Sequence, residues 1–368
     1  MRVLSLDDGA TREAATRDPA GFIANLDEPV LIDEVQRAPD LLLEIKRNVD
    51  RNPTPGRFLL TGSSNVFSSK KVSDALTGRT EIIRLWPLMQ VEIENQGGNF
   101  IDALFEETPP DVRDAPVGRK AIQNRLIRGG YPEAFERDGR RRRTWYRNYV
   151  DTTIRNDLSS VGEPARIDEV PRLLRILAGQ AASVLTYRNV AERLEINHET
   201  VKAYVDYLEL IGIVVRLQGW RPGFAARETS KPKVYVADTG LLCSLIGADE
   251  ERLLKDPQLT GRAVENFVAM EIMRHSNWSR HEVRLFHYHQ RNRDIDLVIE
   301  RSDGALVAIE VKSAATVGYR DYRWIEELRD RSGDRFVAGV VICTSDQRIP
   351  LGDRLWSLPL SGLWSAMN

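Results

Sequence analysis

The stretch "EPVLIDEVQRAP", Glu28 to Pro39, decides how the first part of the chain is read. Val30, Leu31 and Ile32 form a continuous apolar run that ends in Asp33 and Glu34. An unbroken run of this kind suits a parallel strand buried on both faces, with its C-terminal end at a site. Upstream, "RVLSL" (Arg2–Leu6) reads as another strand and "REAATRDPAGFIANL" as helical or turn-like. Downstream, "LLLEIKRNVDR" is an amphipathic helix, "RFLLTGSSN" the next buried strand, "VSDALTGR" a short helix and "EIIRLWPL" a further strand. Strands alternating with helices predict an α/β domain with a parallel sheet.

The 368 residues allow two or three domains. Lys plus Arg number 52 and Asp plus Glu 54, a net charge of −2, so any nucleic-acid surface must be local. Cys243 and Cys343 sit in apolar runs as small core residues, and two cysteines fit a reducing cytoplasm. No apolar run approaches the ~18–20 residues of a membrane span. The start, "MRVLSLDDGATREAA", has no apolar signal-peptide core. A cytoplasmic chain without membrane contact is therefore expected.

Four segments follow from composition and periodicity. Residues 1–94 carry the parallel α/β pattern, and residues 95–165 a Pro- and Gly-containing linker and a helical region. The latter holds "GGYPEAF", where Gly129-Gly130-Tyr131-Pro132 reads as a turn, and the run Arg140–Arg143. That run is a candidate phosphate contact, a solvated helix face or a dock for an acidic surface. Residues 166–232 show helix, short helix, turn, longer helix and strand pair, the pattern of a winged helix-turn-helix. Asn197 is a fair N-cap, and Lys202 and Arg216 are candidate DNA contacts. The second helix has one Lys and no Arg, which fits a packing role between domains better.

Residues 233–368, from "KVYVADTGLL" on, carry the most suggestive chemistry. In "RDIDLVIE", Ile295, Leu297 and Ile299 are expected on one strand face, with Asp294 and Asp296 on the other. In "LVAIEVKS", Glu310 and Lys312 share the polar face. The intervening Asp303-Gly304 is a hairpin signal that brings Asp296 close to Glu310 and Lys312. Clustered carboxylates repel and are costly to desolvate unless a cation offsets them, and Mg²⁺ is the natural cation for carboxylates plus a substrate phosphate. Lys312 would then orient a water or stabilise phosphate charge. Glu265, on the helix "GRAVENFVAMEIMRH", could add a further carboxylate. Glu300 and Asp303 read as solvated turn residues. His287 and His289 are spaced i, i+2 with no cysteine nearby, a weak metal signal.

This end resembles the PD-(D/E)XK nuclease-like superfamily, with Asp296, then Glu310-Val311-Lys312 after 13 intervening residues, and Glu265 as the helix acid. The resemblance implies Glu265, Asp296 and Glu310 as metal ligands and Asp296, Glu310 and Lys312 as the catalytic set. The opposite interpretation is a structural salt bridge on a half-exposed sheet face. At the other end, "LIDE" resembles a Walker B strand of an AAA-type ATPase. The resemblance implies Asp33 supporting Mg²⁺ and Glu34 polarising the attacking water. Thr61, Ser63, Ser64 or Asn65 ends the next strand where a polar sensor would sit. Arg79 in "LTGRT" is a candidate for acting in trans on a neighbour's nucleotide. With "GGYPEAF" and "VYVADTGLL", these residues resemble a bacterial and archaeal family that joins an AAA-type ATPase module to a C-terminal domain of unknown function.

The pattern has one departure. G-x-x-x-x-G-K-[ST], whose backbone and lysine hold phosphates, is absent from the 368 residues; "TGSSNVFSSKK" has the wrong spacing. The resemblance places the loop before "RVLSLDD", with Met1 inside the ATPase domain, and its strand between "RFLLTGS" and "EIIRLWPL". Two strand edges would then lack partners. ATP is expected only if the missing P-loop is supplied. The expected fold is α/β multidomain: an incomplete P-loop AAA-type sheet, a winged helix-turn-helix and a PD-(D/E)XK-like domain. Three functions stand open: an ATP-dependent regulator or DNA-acting protein, a Mg²⁺-dependent nuclease independent of ATP, and a non-catalytic interaction protein. Candidate partners are DNA, a second copy of the chain or another protein.

Overall fold

The computed structural model describes residues 1–62, 78–106, 117–161, 169–290 and 292–365. The chain divides into two compact units, residues 1–85 with 157–163, and residues 86–156 with 164–368.

In the first unit the apolar runs become β1 (Arg2–Ser5), β2 (Val30–Asp33) and β3 (Phe58–Leu60), with helices α1 (Gly9–Arg17), α2 (Pro19–Ala24) and α3 (Leu41–Arg51) between them. The sheet runs β1-β2-β3, all parallel, with Val30 beside both Arg2 and Phe58. Asp8 caps α1 through the Thr11 amide, and Asp18 caps α2, whose first residue is Pro19. Val30 and Ile32 are fully buried against Leu6, Ala15, Ile23, Leu41 and Ile45. Two expected strands depart from the reading. β3 is not buried, since Leu59 is 45% exposed. Residues 81–88 form no strand at all, with Ile82, Ile83 and Leu85 facing solvent. A strand exists through its neighbours' hydrogen bonds: β3 has a described partner on one side only, β2, and residues 81–88 have none. Ser63, Ser64, Asn65 and most of "VSDALTGR" lie outside the described residues.

After short helices at Gln90–Ile93 and Phe100–Glu106, the second unit carries α4 (Arg119–Arg128), α5 (Pro132–Phe135), α6 (Gly139–Val161, of which residues 139–156 belong to this unit) and α7 (Glu169–Gly179). Next come β4 (Ser183–Val184), α8 (Tyr187–Leu194), α9 (His198–Leu210), β5 (Val214–Leu217) and β6 (Lys233–Val236). Strands β4, β6 and β5 form one antiparallel sheet in that order. Lys233, read as the start of the last segment, therefore sits in the sheet of the preceding one. Asn197 caps α9 as expected. Arg216 is not available to DNA, because Glu209, Asp206 and the Tyr187 hydroxyl surround its guanidinium.

The chain continues through α10 (Thr239–Leu245) and α11 (Pro257–Ser276) into β7 (Val283–Gln290), β8 (Arg293–Arg301) and β9 (Leu306–Val311). After α12 (Tyr319–Ser332) come β10 (Phe336–Cys343), β11 (Ile349–Gly352) and β12 (Leu355–Pro359). The six strands order as β11-β12-β10-β9-β8-β7. Gly304, at φ +87°, turns the β8–β9 hairpin where Asp303-Gly304 predicts it. Glu300 is not a solvated turn residue: Arg227 and Arg335 both bind its carboxylate.

Two further features shape this unit. The β7–β8 ladder pairs Phe286 with Val298 but Tyr288 with Ile295, so β8 carries one extra residue there. This bulge separates Ile295 from Leu297 and Ile299, which the alternation rule places on one face. Ile295 packs with Phe286, Tyr288 and Val298, while Leu297 and Ile299 pack with Val264 and Phe267 of α11. The second feature is Asp238, the N-cap of α10. Its buried carboxylate accepts from the amides of Leu241 (2.8 Å) and Gly130 (2.7 Å) and from the Tyr146 hydroxyl (2.9 Å). "GGYPEAF" and "VYVADTGLL" are thus two halves of one clamp. Gly130 is required there, since a Cβ would lie 2.0 Å from the Leu88 carbonyl oxygen.

Candidate functional site

Three elements of the second unit converge on one buried charge cluster. α11 contributes Glu265, β8 contributes Asp294 and Asp296, and β9 with the residue after it contributes Glu310 and Lys312. The hairpin does bring Asp296 to the end of β9, where its Oδ2 accepts from the Val311 amide at 3.0 Å. Lys312 Nζ donates to Glu310 Oε1 at 2.8 Å and lies 3.9 Å from Asp321.

The group the sequence reading missed is Lys233 of β6. Its Nζ lies 2.9 Å from Glu265, 3.0 Å from Asp296 and 3.6 Å from Asp294, with the side chain only 4% exposed. The signal was a lysine inside an otherwise apolar strand, "KVYV". Tyr235, two residues on, donates to Glu265 Oε1 at 3.4 Å.

Burial and mutual repulsion set the charge states. Burial raises the Glu265 carboxyl well above its ordinary value, and the neighbouring Asp296 raises it further. Burial and Asp296 push Glu310 up to about 8. Burial also pushes Asp296 upward, but Lys233 and the Val311 amide overcome it and hold the carboxyl below its ordinary value. Lys233 stays protonated: burial alone would lower its pKa, and Asp296, Tyr235 and Glu265 reverse that.

The fit to Mg²⁺ can be judged from this arrangement. An ammonium stands between Glu265 and Asp296, which a divalent ion would have to share. Among the described residues, no group of three or more His, Cys, Asp or Glu side chains is arranged to hold a metal ion. The residues as placed do not fit Mg²⁺. The histidines add none: His287 is buried on the Lys231 carbonyl, whereas His289 faces Asp294 at 3.4 Å.

The acids of the first unit end β2. Asp33 accepts at Oδ2 from the Ser5 hydroxyl of β1 (3.0 Å) and at Oδ1 from the Thr61 hydroxyl just beyond β3. These hydrogen bonds, Thr61 first, hold Asp33 below its ordinary pKa and so ionised. Glu34 adopts a left-handed backbone (φ 58°, ψ 42°) and accepts from Gln36. Three parallel strands thus deliver a hydroxyl, a carboxylate and a hydroxyl to one sheet edge. Arg79 pairs with Asp50 of α3 within its own chain. Asn65 lies outside the described residues.

Comparison with known proteins bears on both ends. Residues 1–94 match the model of an AAA domain, and residues 260–363 match a domain of unknown function (DUF4143). These matches support an AAA-type family with a C-terminal domain of unknown function. A second domain of unknown function (DUF8612) matches residues 119–252. The charge cluster is therefore built from two matched segments, with Lys233 in one and its carboxylate partners in the other. Uncharacterized proteins of Mycobacterium tuberculosis (Rv2008c) and Mycobacterium bovis (Mb2031c) are each 27% identical over 352 residues, covering 95% of this chain and 72% of theirs. Among the described residues, no helix is long and apolar enough to cross a membrane.

Proposed function

We propose that this AAA-type chain is a non-catalytic regulatory or interaction protein whose nuclease-like C-terminal half serves as a scaffold. The observation that carries this reading is the Lys233 ammonium, 2.9 and 3.0 Å from Glu265 and Asp296. A fixed lysine supplies the positive charge that the carboxylates need, and it brings no open coordination site for water or phosphate. The order helix, strand, helix, helix, strand, short helix (Phe224–Glu228), strand over 169–236 supports a winged-helix reading of that segment, with the short helix inserted between the two wing strands. α11 followed by β7, β8 and β9 supports a PD-(D/E)XK-like reading of the rest. In an AAA-type module, Asp33 and Glu34 would face the nucleotide's Mg²⁺ and attacking water if a phosphate loop were supplied.

The test is a cleavage assay on single- and double-stranded DNA and RNA with 5 mM-scale Mg²⁺ or Mn²⁺. No cleavage above that of an Asp296→Asn, Glu310→Gln double variant is expected. Metal-dependent cleavage that this double variant abolishes would restore the nuclease reading and sink the scaffold.

A further inference from the structure

Residues 119–147 contain ten Arg or Lys and three Asp or Glu, a net charge of +7 in a chain whose total is −2. The concentration peaks at the start of α6. From Gly139 to Val150 this helix has no acidic residue and five arginines. Arg140, Arg143 and Arg147 are spaced i, i+3, i+7 and so share one face. Arg140, Arg141, Arg143 and Arg147 are all exposed, as are Thr144 and Asn148 between them. Among the described residues, none of these four guanidinium groups is paired with a carboxylate, although other arginines of the same unit are (Arg125 with Glu94, Arg137 with Glu133).

The inner side of the helix is held fast. Arg142 donates to the carbonyls of Ala134 (3.2 Å) and Arg137 (2.6 Å), and the Tyr146 hydroxyl is locked to Asp238 at 2.9 Å. Positive charge is crowded enough to be felt: burial, then Arg142 and Arg125, lowers the Arg128 pKa. A rigid helix therefore presents about 12 residues, roughly 18 Å at 1.5 Å per residue, of outward guanidinium, hydroxyl and amide groups with no acid among them.

We propose that this face of α6 binds the phosphate backbone of nucleic acid without regard to base sequence. Guanidinium forks match phosphate oxygens two at a time, and every charge here is arginine rather than lysine. Thr and Asn are the usual accessory donors to backbone phosphate. Among the described residues, none of the exposed side chains of this row is aromatic, and Trp145 and Tyr149 of the same helix are half-buried and stacked on each other, so the row positions a strand and does not read it. An acidic protein segment or an anionic membrane would be drawn by the same charge but has less use for an all-arginine row.

The experiment is fluorescence anisotropy of labelled 20-mer duplex and single-stranded DNA and RNA with the full chain, from 50 to 200 mM salt. The parent is expected to bind, with affinity falling steeply with salt and little affected by sequence. Replacing Arg140, Arg143 and Arg147 by glutamine removes three contacts, so the log–log salt slope on duplex should shrink by about 2.7. The same triple change to lysine keeps most of the slope, and unchanged thermal unfolding of both variants shows that the fold survives. The proposal is overturned if the glutamine variant binds as the parent does. It is equally overturned if the parent binds polyglutamate or phosphatidylserine vesicles but no nucleic acid. Cleavage by the Asp296–Glu310 centre would refute the scaffold reading above and leave this surface untouched.

Discussion

Lys233→Met keeps most of the side chain's volume and removes its charge, so it isolates what the ammonium does. The lysine lies about 3 Å from two buried carboxylates. At an effective dielectric of 20, each contact amounts to about 5 kcal/mol of gross attraction, most of it cancelled by desolvation. Breaking a buried pair by removing one partner costs about 3–5 kcal/mol, because the other charge stays behind. That cost should depend on pH with a definite sign. In the parent, Asp296 has a folded pKa below its ordinary 3.8, so its contribution to stability is present above that value and lost as pH falls. Without Lys233, both Asp296 and Glu265 rise, and each can shed its burden by taking up a proton. The variant should therefore be destabilised by about 3–5 kcal/mol at pH 8 and by clearly less at pH 5. Urea unfolding followed by tryptophan fluorescence reads this directly, since all seven tryptophans lie in the second unit, between Trp86 and Trp364. A loss under about 1 kcal/mol at pH 8, the range of a surface pair, or an equal loss at both pH values, would refute the reasoning.

Two more predictions follow from the same unit. Glu310 has a folded pKa near 8 against an ordinary 4.5, so its contribution is full below 4.5 and is lost as pH rises through 8. Glu310→Gln should flatten the decline of stability between pH 6 and 9, and an unchanged slope in urea titrations would contradict the assignment. Gly130→Ala should cost more than about 3 kcal/mol by forcing a Cβ onto the Leu88 carbonyl, and Asp238→Asn about 1.5–3 kcal/mol by weakening hydrogen bonds to a charged acceptor. Both are read from urea midpoints, and a midpoint within error of the parent would remove the clamp from the account.

What could be read beforehand followed local rules. Asp303-Gly304 specified its hairpin, Asn197 its cap, and the LLLEIKRNVDR pattern its helix, because turn chemistry and periodicity act within a few residues. The approach of Asp296 to β9 followed from the hairpin alone. Lys233 could not be found that way. It lies 32 residues before Glu265 and 63 before Asp296, and its role depends on β6 being placed beside α11 and β8. The β8 bulge escaped for a related reason: strict alternation has no term for an extra residue. Residues 81–88 failed as a strand because apolar composition predicts burial only if something is there to cover it. Glu300 was assigned to a solvated turn because its partners, Arg227 and Arg335, lie 73 and 35 residues away, whereas Arg216, a candidate DNA contact, is taken up by Glu209 only 7 residues before it.

The stitching between β5 and β7 bears on how the protein can be taken apart. The Trp220 amide donates to the His287 carbonyl at 2.6 Å, the His287 amide to Gln218, and Arg227 reaches Glu300. β6 completes the small sheet, while its first residue neutralises the acids of the large one. A cut at 232/233, where periodicity alone invites it, would strand two carboxylates without their cation and leave β4 and β5 without the strand that joins them. A fragment meant to fold and be assayed by itself should carry both sheets, and a hinge between them would have to break these hydrogen bonds and the Lys233 ion pairs together.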